Sequence, residues 1–476
     1  MTRQYHLDSV FLSQGWAQHA LVTVTEDGYI SAIAPDTTEP QKGGHGAATA
    51  AAIEPERVCG IVVPGMPNAH SHAFQRGMNG NTEYRLSAHD SFWTWRRAMY
   101  ALANRIEPAD LQTLATQLFV EMLKAGYTSV AEFHYLHRQP DGENYSGGNA
   151  LWEAVTAAAA VTGIGLTFLP TLYQTSDFGA QPLKRDQVRF AMETEQFLRA
   201  IEHRVDSERR AAPATLRTGA AFHSLRAVPL DTLRYAAQHL VAMDATLPLH
   251  IHVAEQIKEV EACEAYTRRR PIELLLDTGL LDEHWCLVHA THATTVEMKG
   301  IATAKSAVCA AITTEANLGD GFFDAARFLK LGGRICVGSD SQATVNPAEE
   351  LRWMEYQQRL RKRRRGVLAD AKESHAGTRL WRDAALTGAQ ALGQRVGVIA
   401  VGHRADWLVL DSEHPTLVGA PTDNALDHLV FAGGAAAIRD VMVGGRWVVK
   451  EGHHAAELPL QTEFAQLMHR LGTPSA

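Results

Sequence analysis

Residues 64–77 read PGMPNAHSHAFQRG, with His70 and His72 separated by one residue just after the apolar run at 61–63. In an extended strand, residues two apart point the same way, so both imidazoles face one side at the strand's end. That geometry suits two ligands of one metal ion. Taken alone, the pair is equally consistent with loop histidines bonded to backbone. Its meaning therefore depends on the rest of the chain.

Downstream of this stretch, short apolar runs alternate with helical patterns. ADLQTLATQLFVEMLKAGYTSVAEF (109–133) predicts a helix, a break at Gly126 and then a strand. AVTAAAAVTGIGLTFLP (154–170) repeats that order around Gly163. Further strand ends are expected in LRTGAAFH (216–223), LPLHIHV (247–253), WCLVHA (285–290), KSAVCAAI (305–312) and GGRICVGSD (332–340). Alternating units of this kind imply a parallel sheet wrapped by helices. Roughly eight fit between Pro64 and Gly393, as in an α/β (β/α)8 TIM-like barrel.

Both flanks are strand-rich. HALVTVTEDGYISAIAP (19–35) turns at Asp27-Gly28, and GVIAVGHRADWLVLD (397–411) and IRDVMVGGRWVVKEGHH (438–454) turn at Gly402-His403 and Gly444-Gly445. The expectation is a small β-sandwich lobe built from the N- and C-terminal segments, dividing the chain into 1–62, 63–393 and 394–476. GGHGAATAAAIEPE (43–56) reads as a small-residue loop, and the chain has no internal repeat.

The 476 residues are 46% hydrophobic and 21% charged, an ordinary globular composition. The formal net charge of -8 disfavours a nucleic-acid partner. The basic run RLRKRRR (359–365) reads as the solvated end of a helix beginning near Pro347, where cations suit the dipole. Five cysteines without a CxxC pair predict reduced, buried thiols. MTRQYHLDSV lacks a signal-peptide pattern and no apolar stretch is long enough to span a bilayer. A cytoplasmic protein with no membrane partner is expected.

The 23 histidines carry most of the chemical signal. His252 ends one apolar run, with Glu255 three residues on; His289 ends the next; Asp340 ends a later one. In a barrel these strand ends converge on one face, where catalysis occurs. Burying them without partners is costly, and independent backbone-satisfied core histidines on so many strands is the poorer account. Three imidazoles and a carboxylate suit Zn²⁺ and tolerate Fe²⁺ or Mn²⁺. A water on such an ion has its pKa drawn down to about 7. His289 and Asp340 are placed to orient and deprotonate it, and Glu255 to carry a proton to a leaving group. EFHYLH (132–137) and TFLPTLY (167–173) offer no lysine to bridge two metals, so one metal per chain is expected.

These residues resemble the amidohydrolase superfamily, whose pattern is HxH on the first strand, histidines on the fifth and sixth, and Asp on the eighth. GHRADWLVLD and VMVGGRWVVKEG resemble its C-terminal sheet. Within it, PGMPNAHSHAFQRG, FWTWRRAMY, EFHYLH, FHSLRAVP, HIHVAEQ, TTEANLGDG and GSDSQ with EELRWMEYQQRL are similar to the formimidoylglutamate deiminase family, across nearly the whole chain. HSHAFQR and TTEANLGDG are specific; HxH and GSD are superfamily-wide.

The resemblance implies metal-dependent hydrolysis of N-formimino-L-glutamate to N-formyl-L-glutamate and ammonia, in histidine degradation, by a homodimer. It implies metal ligands at His70, His72, His252 and Asp340. It implies catalytic roles for Glu255, His289 and, a second time, Asp340. Substrate contacts would fall on Gln75, Arg96, Tyr135, His223 and Arg226. A dicarboxylate in a pocket needs fixed cations, and arginine is the bidentate choice. Arg97 competes with Arg96, and His134 and His137 with Tyr135; a surface salt bridge is the other role open to either arginine.

The chain departs from the family pattern at Phe222, where Pro is implied, at Ala311-Ile312, where Cys-Pro is implied, and at Gln342, where His is implied. These departures are expected to reshape the pocket wall. Three rivals remain. One is a deaminase of the same fold acting on a nucleobase or ring amidine, which needs a slot rather than paired arginines. Another releases formamide instead of ammonia. The third is a non-catalytic barrel scaffold, which a lost ligand would favour, and none is lost.

Overall fold

A computed structural model describes residues 2–37, 54–83, 92–146 and 148–472. Most of the small-residue stretch expected as a loop, residues 43–53, lies outside them. Eight parallel strands follow one another around a nearly closed barrel. They are β1 (Met66–Ser71), β2 (Tyr127–His134), β3 (Gly165–Leu172), β4 (Leu216–Thr218 and Ala220–Phe222), β5 (Leu249–Val253), β6 (Trp285–His289), β7 (Ala307–Ala310) and β8 (Arg334–Val337). The seam closes between the ends of the first and last strands. Ser71 bridges Asp340, His72 N–H donates to Asp340 O at 3.2 Å, and Asp340 N–H donates to His70 O at 3.0 Å.

Most barrel strands are buried along their whole length, so they read as apolar runs rather than alternating patterns. Helix α1 spans Phe92–Ala103 and α2 spans Pro108–Ala125. The second opens with Pro108 in its first turn and reciprocal capping between Glu107 and Asp110. It stops at Gly126, whose φ of 104° is readily taken only by glycine, one residue before β2. Further on lie α3 (Ile312–Leu318), α4 (Pro347–Lys362) and α5 (Ala376–Leu392). The last turn of α4 carries Arg359, Arg361 and Lys362, and the basic run beyond it is exposed, as the sequence implied.

The end of α5 seals one end of the barrel. Ala391 O accepts from His250 Nε2 at 2.7 Å, and Leu392 O from Thr167 Oγ1 at 2.8 Å. His250 is thus consumed at the sealed end, and His252 reaches the open one.

Strands Arg3–Leu12, Gly15–Val24, Ile30–Ala34, Glu56–Pro64, Trp407–Leu410, Ile438–Val443, Arg446–Lys450 and His453–His454 form one mixed sheet joining both flanks of the chain. Tyr5, Leu7, Val22, Val62, Trp407 and Val409 pack into a core of its own. The expected turns form, and Gly444 and Gly445 take φ of 55° and 71°, the positive values a two-residue hairpin turn requires. All five cysteines are free, but the expectation of burial fails at Cys59, which is exposed. Strand alternation is the cause: Val58 faces the sheet's core, so its neighbour faces solvent.

Candidate active site

At the open end of the barrel, β1 delivers His70 and His72, β5 delivers His252, and the turn after β8 delivers Asp340. His70 Nε2 lies 3.1 Å from His72 Nε2 and 3.0 Å from His252 Nε2. Asp340 Oδ1 lies 3.2 Å from His70 Nε2 and 3.3 Å from His72 Nε2. All four residues are buried.

The outer ring nitrogens explain what this cluster wants. His72 Nδ1 donates to Phe133 O at 2.8 Å, and His252 Nδ1 donates to His223 O at 2.8 Å. With Nδ1–H held there, Nε2 is the atom that each ring turns inward, toward Asp340. Burial drives the His70 pKa down to about 3, so that ring is neutral. Acceptors facing one another at 3 Å repel unless a cation sits among them. Three imidazole nitrogens and one carboxylate therefore fit a divalent metal ion.

Next to the cluster stand Glu255, His289 and Glu315. His289 Nε2 is 3.9 Å from both Glu255 Oε1 and Asp340 Oδ2, and its Nδ1 is 3.3 Å from Glu315 Oε1. Burial alone would lower the His289 pKa, but the three carboxylates around it raise it to about 10. Burial, with Asp340 and Glu259 nearby, pushes Glu255 up to about 7. Burial also opposes ionisation of Asp340, yet the rings of His70 and His72 and the His289 charge hold its carboxyl well below the usual carboxylate range.

A cavity opens onto these groups, with His72, His252, Glu255, His289 and Asp340 in its floor. Its wall includes Gln75, Arg96, Tyr135, His223 and Arg226. A larger surface groove between α2 and the C-terminal helix Glu457–Gly472 carries none of these residues.

Residues 61–448 match the pattern of the Amidohydrolase family. The chain belongs to the amidohydrolase family. A formimidoylglutamate deiminase of Pseudomonas aeruginosa is 45% identical over 464 residues, 98% of each chain. A 5-methylthioadenosine/S-adenosylhomocysteine deaminase of Natronomonas pharaonis is 25% identical over 391 residues, 82% of each. The crystal structure of an amidohydrolase from Brucella melitensis superposes with a TM-score of 0.89 at 37% identity, covering 99% of this chain and 100% of that one.

In this amidohydrolase every site residue singled out from the sequence reaches the one cavity or the cluster beneath it. Arg96 lines the cavity while Arg97 is exposed. The Arg96 guanidinium lies 4.4 Å from the Trp93 ring and 5.5 Å from the Tyr100 ring. Tyr135 accepts from Gln75 Nε2 at 2.9 Å. Its competitors are engaged elsewhere: His134 Nε2 bonds Leu136 O at 2.7 Å, and His137 bonds Thr171 O and Trp152 Nε1 at 2.8 and 3.1 Å. None of Phe222, Ile312 and Gln342 is among the residues that line the cavity. Phe222 stacks on Trp285 at 5.8 Å behind it, Ile312 is buried at the start of α3, and Gln342 bonds Asp340 O and Ser71 Oγ at 2.7 and 3.1 Å across the seam.

Sequence reasoning missed the supports. Glu132 accepts from Ser71 Oγ at 2.7 Å and Ala73 N at 2.6 Å, bracing the HxH turn. Asn68 accepts from His70 N at 3.2 Å and Ser339 N at 3.1 Å, tying β1 to the Asp340 turn. Glu315, which holds His289, lay inside TTEANLGDG; only folding shows which of that segment's polar residues faces inward. Among the described residues no helix is long and apolar enough to cross a membrane.

Proposed function

We propose that this amidohydrolase hydrolyses N-formimino-L-glutamate to N-formyl-L-glutamate and ammonia. The observation that carries the reading is the pairing of Arg96 and Arg226 in the cavity above the histidine cluster. Among the described residues neither has a carboxylate at salt-bridge distance, and Arg226 Nε is buried without a hydrogen-bond partner. Two such cations suit a small dicarboxylate. The 45% identical relative named for this activity supports the same choice.

His70, His72, His252 and Asp340 would hold the ion, which we take to be one Zn²⁺ in the barrel of each chain, with Fe²⁺ or Mn²⁺ also suited to the donors. Such an ion, when bound, acidifies water and polarises the C=N group. Asp340 has an oxygen for each of two tasks. Oδ1 faces the ligand cluster, while Oδ2 faces His289 and takes the proton of the attacking water. His289, fixed through Nδ1 by Glu315, steadies the oxygen as it adds to the formimino carbon. Glu255, protonated in part near neutral pH, gives its proton to the formimino nitrogen as the oxygen adds; Asp340 then passes the water proton to the amine so formed, which leaves as ammonia while Glu255 takes back the proton of the remaining hydroxyl. Arg96 and Arg226 bind the carboxylates, so energy gained far from the carbon positions it. Gln75, Tyr135 and His223 line the space between. We further read the protein as a cytoplasmic homodimer divided at residues 62 and 393, as the sequence implies.

The test is ammonia release from N-formimino-L-glutamate by zinc-loaded protein, with guanine, cytosine and adenosine run alongside and product identified by mass. Release from formiminoglutamate alone, abolished by Glu255→Gln at unchanged metal content, is the expected result. Turnover of a base instead, or formamide as product, overturns it.

A further inference from the structure

The terminal sheet carries a second set of metal-competent side chains that the barrel chemistry does not use. His6 and Asp8 lie two apart on strand Arg3–Leu12 and project from one face. Strand Gly15–Val24 runs antiparallel beside it. Its register, Leu7 opposite Ala20 and Ser9 opposite Gln18, sets His19 across from Asp8. One ligand atom from each of His6, Asp8 and His19 lies within 4.8 Å of the other two. The two imidazoles stack, with centroids 5.8 Å apart and planes inclined by 27°.

The polar accounting at this spot does not close. His6 is 4% exposed and its Nε2 has no hydrogen-bond partner; His19 Nδ1 is likewise buried and unpartnered. A buried ring nitrogen left unpaired is destabilising. Two of them beside a carboxylate form a donor set, not a packing accident. Backbone geometry favours the same grouping. His19 takes a φ of 48°, and its carbonyl accepts from Thr37 N at 3.0 Å. Across the other edge, strand Glu56–Pro64 shifts register between Leu7 and Ser9. Arg57 Nε reaches Asp8 Oδ1 at 3.3 Å, but its side chain is 56% exposed, and a carboxylate has acceptor sites for both an arginine and a cation.

We propose that His6, Asp8 and His19 bind a second divalent transition-metal ion, Zn²⁺ or a late first-row neighbour such as Ni²⁺ or Cu²⁺, which clips the first two strands together. Two imidazoles and one carboxylate are of the right softness, and the part-exposed side of the site admits water as a further ligand. Ligand atoms around tetrahedral zinc stand about 3.4 Å apart, so binding needs only side-chain rotation to draw in any pair that stands wider. The site has no reacting group beside it; its effect is on stability.

The full-length protein is dialysed to equilibrium against micromolar zinc and the metal counted by elemental analysis. Two zinc ions per chain are expected for the wild type and one for Asp8→Asn and for His19→Gln, both at part-exposed positions. The wild type gains thermal stability with the second equivalent, and the two variants lose that gain while keeping wild-type catalytic rates. A single zinc per wild-type chain overturns the proposal, as does a second equivalent that survives both substitutions. The count does not depend on which substrate the barrel accepts.

Discussion

Arg96 and Arg226 make the residue-scale test of specificity. Arg226 is buried, and burial alone would lower its pKa; the fields of Glu259, Tyr173 and Glu255 more than offset that. It is thus a fixed charge awaiting a counter-ion. A charge-assisted hydrogen bond contributes about 1.5–3 kcal/mol. Arg96→Lys and Arg226→Lys should each lower kcat/KM for formiminoglutamate roughly 10- to 100-fold, mainly through KM, because lysine loses the bidentate fork. Steady-state kinetics check this, and a change within twofold would remove the arginine from the substrate site.

A second residue reports on pH. Glu350 is buried in α4, accepts from Thr313 N at 3.1 Å and from Thr313 Oγ1, and is pushed by burial from 4.5 to about 8. Between those values the unfolded chain releases this proton while the folded chain keeps it. Its contribution to stability is therefore present below pH 4.5 and lost as pH rises toward 8. Glu350→Gln should gain stability relative to the wild type progressively across that window, read from urea midpoints at several pH values.

At the scale of elements, the active-site end is made by strands that stop abruptly. Ala254, His289, Ala290 and Asp340, at or just past the ends of β5, β6 and β8, have φ between 46° and 69°. Such left-handed residues cost about 1 kcal/mol or more each and turn the chain sharply enough to present a side chain upward. The β8–β1 seam leaves no room beneath His70. A Cβ at Gly338 would stand 2.7 Å from His70 Cβ, 2.8 Å from His70 O and 2.9 Å from Cys309 Sγ. Gly338→Ala should weaken metal affinity about tenfold or more by pushing on the His70 backbone and Cβ without removing a ligand, since displacement of that kind costs as much as a lost support. Metal content after limited chelation measures it, and full retention would show that the seam yields. The strands themselves were legible because both faces are buried and the apolar runs end in polar residues. The bracing by Glu132, Asn68 and Glu315 was not, because each acts on a partner brought near only by barrel closure.

Across the whole molecule, the buried Arg404 ties the segment leading into the sheet to the barrel. Arg404 donates to Asp406 Oδ1 at 2.9 Å and Oδ2 at 2.6 Å, to Ala214 O at 2.9 Å and to Gln394 Oε1 at 2.6 Å. Gly165 makes the space, since a Cβ there would lie 2.3 Å from Arg404 Nη2. Arg404→Ala leaves Asp406 buried without its counter-charge and should cost about 3–5 kcal/mol, seen as a lower urea midpoint with native-state activity kept. Loss of activity without loss of stability would give Arg404 a different role. The order of strands and helices, the polar strand ends and the ligand types were set by local sequence, because hydrophobic periodicity and residue chemistry act over a few neighbours. Tertiary structure alone turned His250 to the sealed end of the barrel, left Arg97 exposed, engaged His134 and His137 elsewhere, kept Phe222, Ile312 and Gln342 out of the cavity lining, and stacked His6 on His19. Each of those choices turns on which way a side chain faces once distant segments close around it, and no local pattern carries that direction.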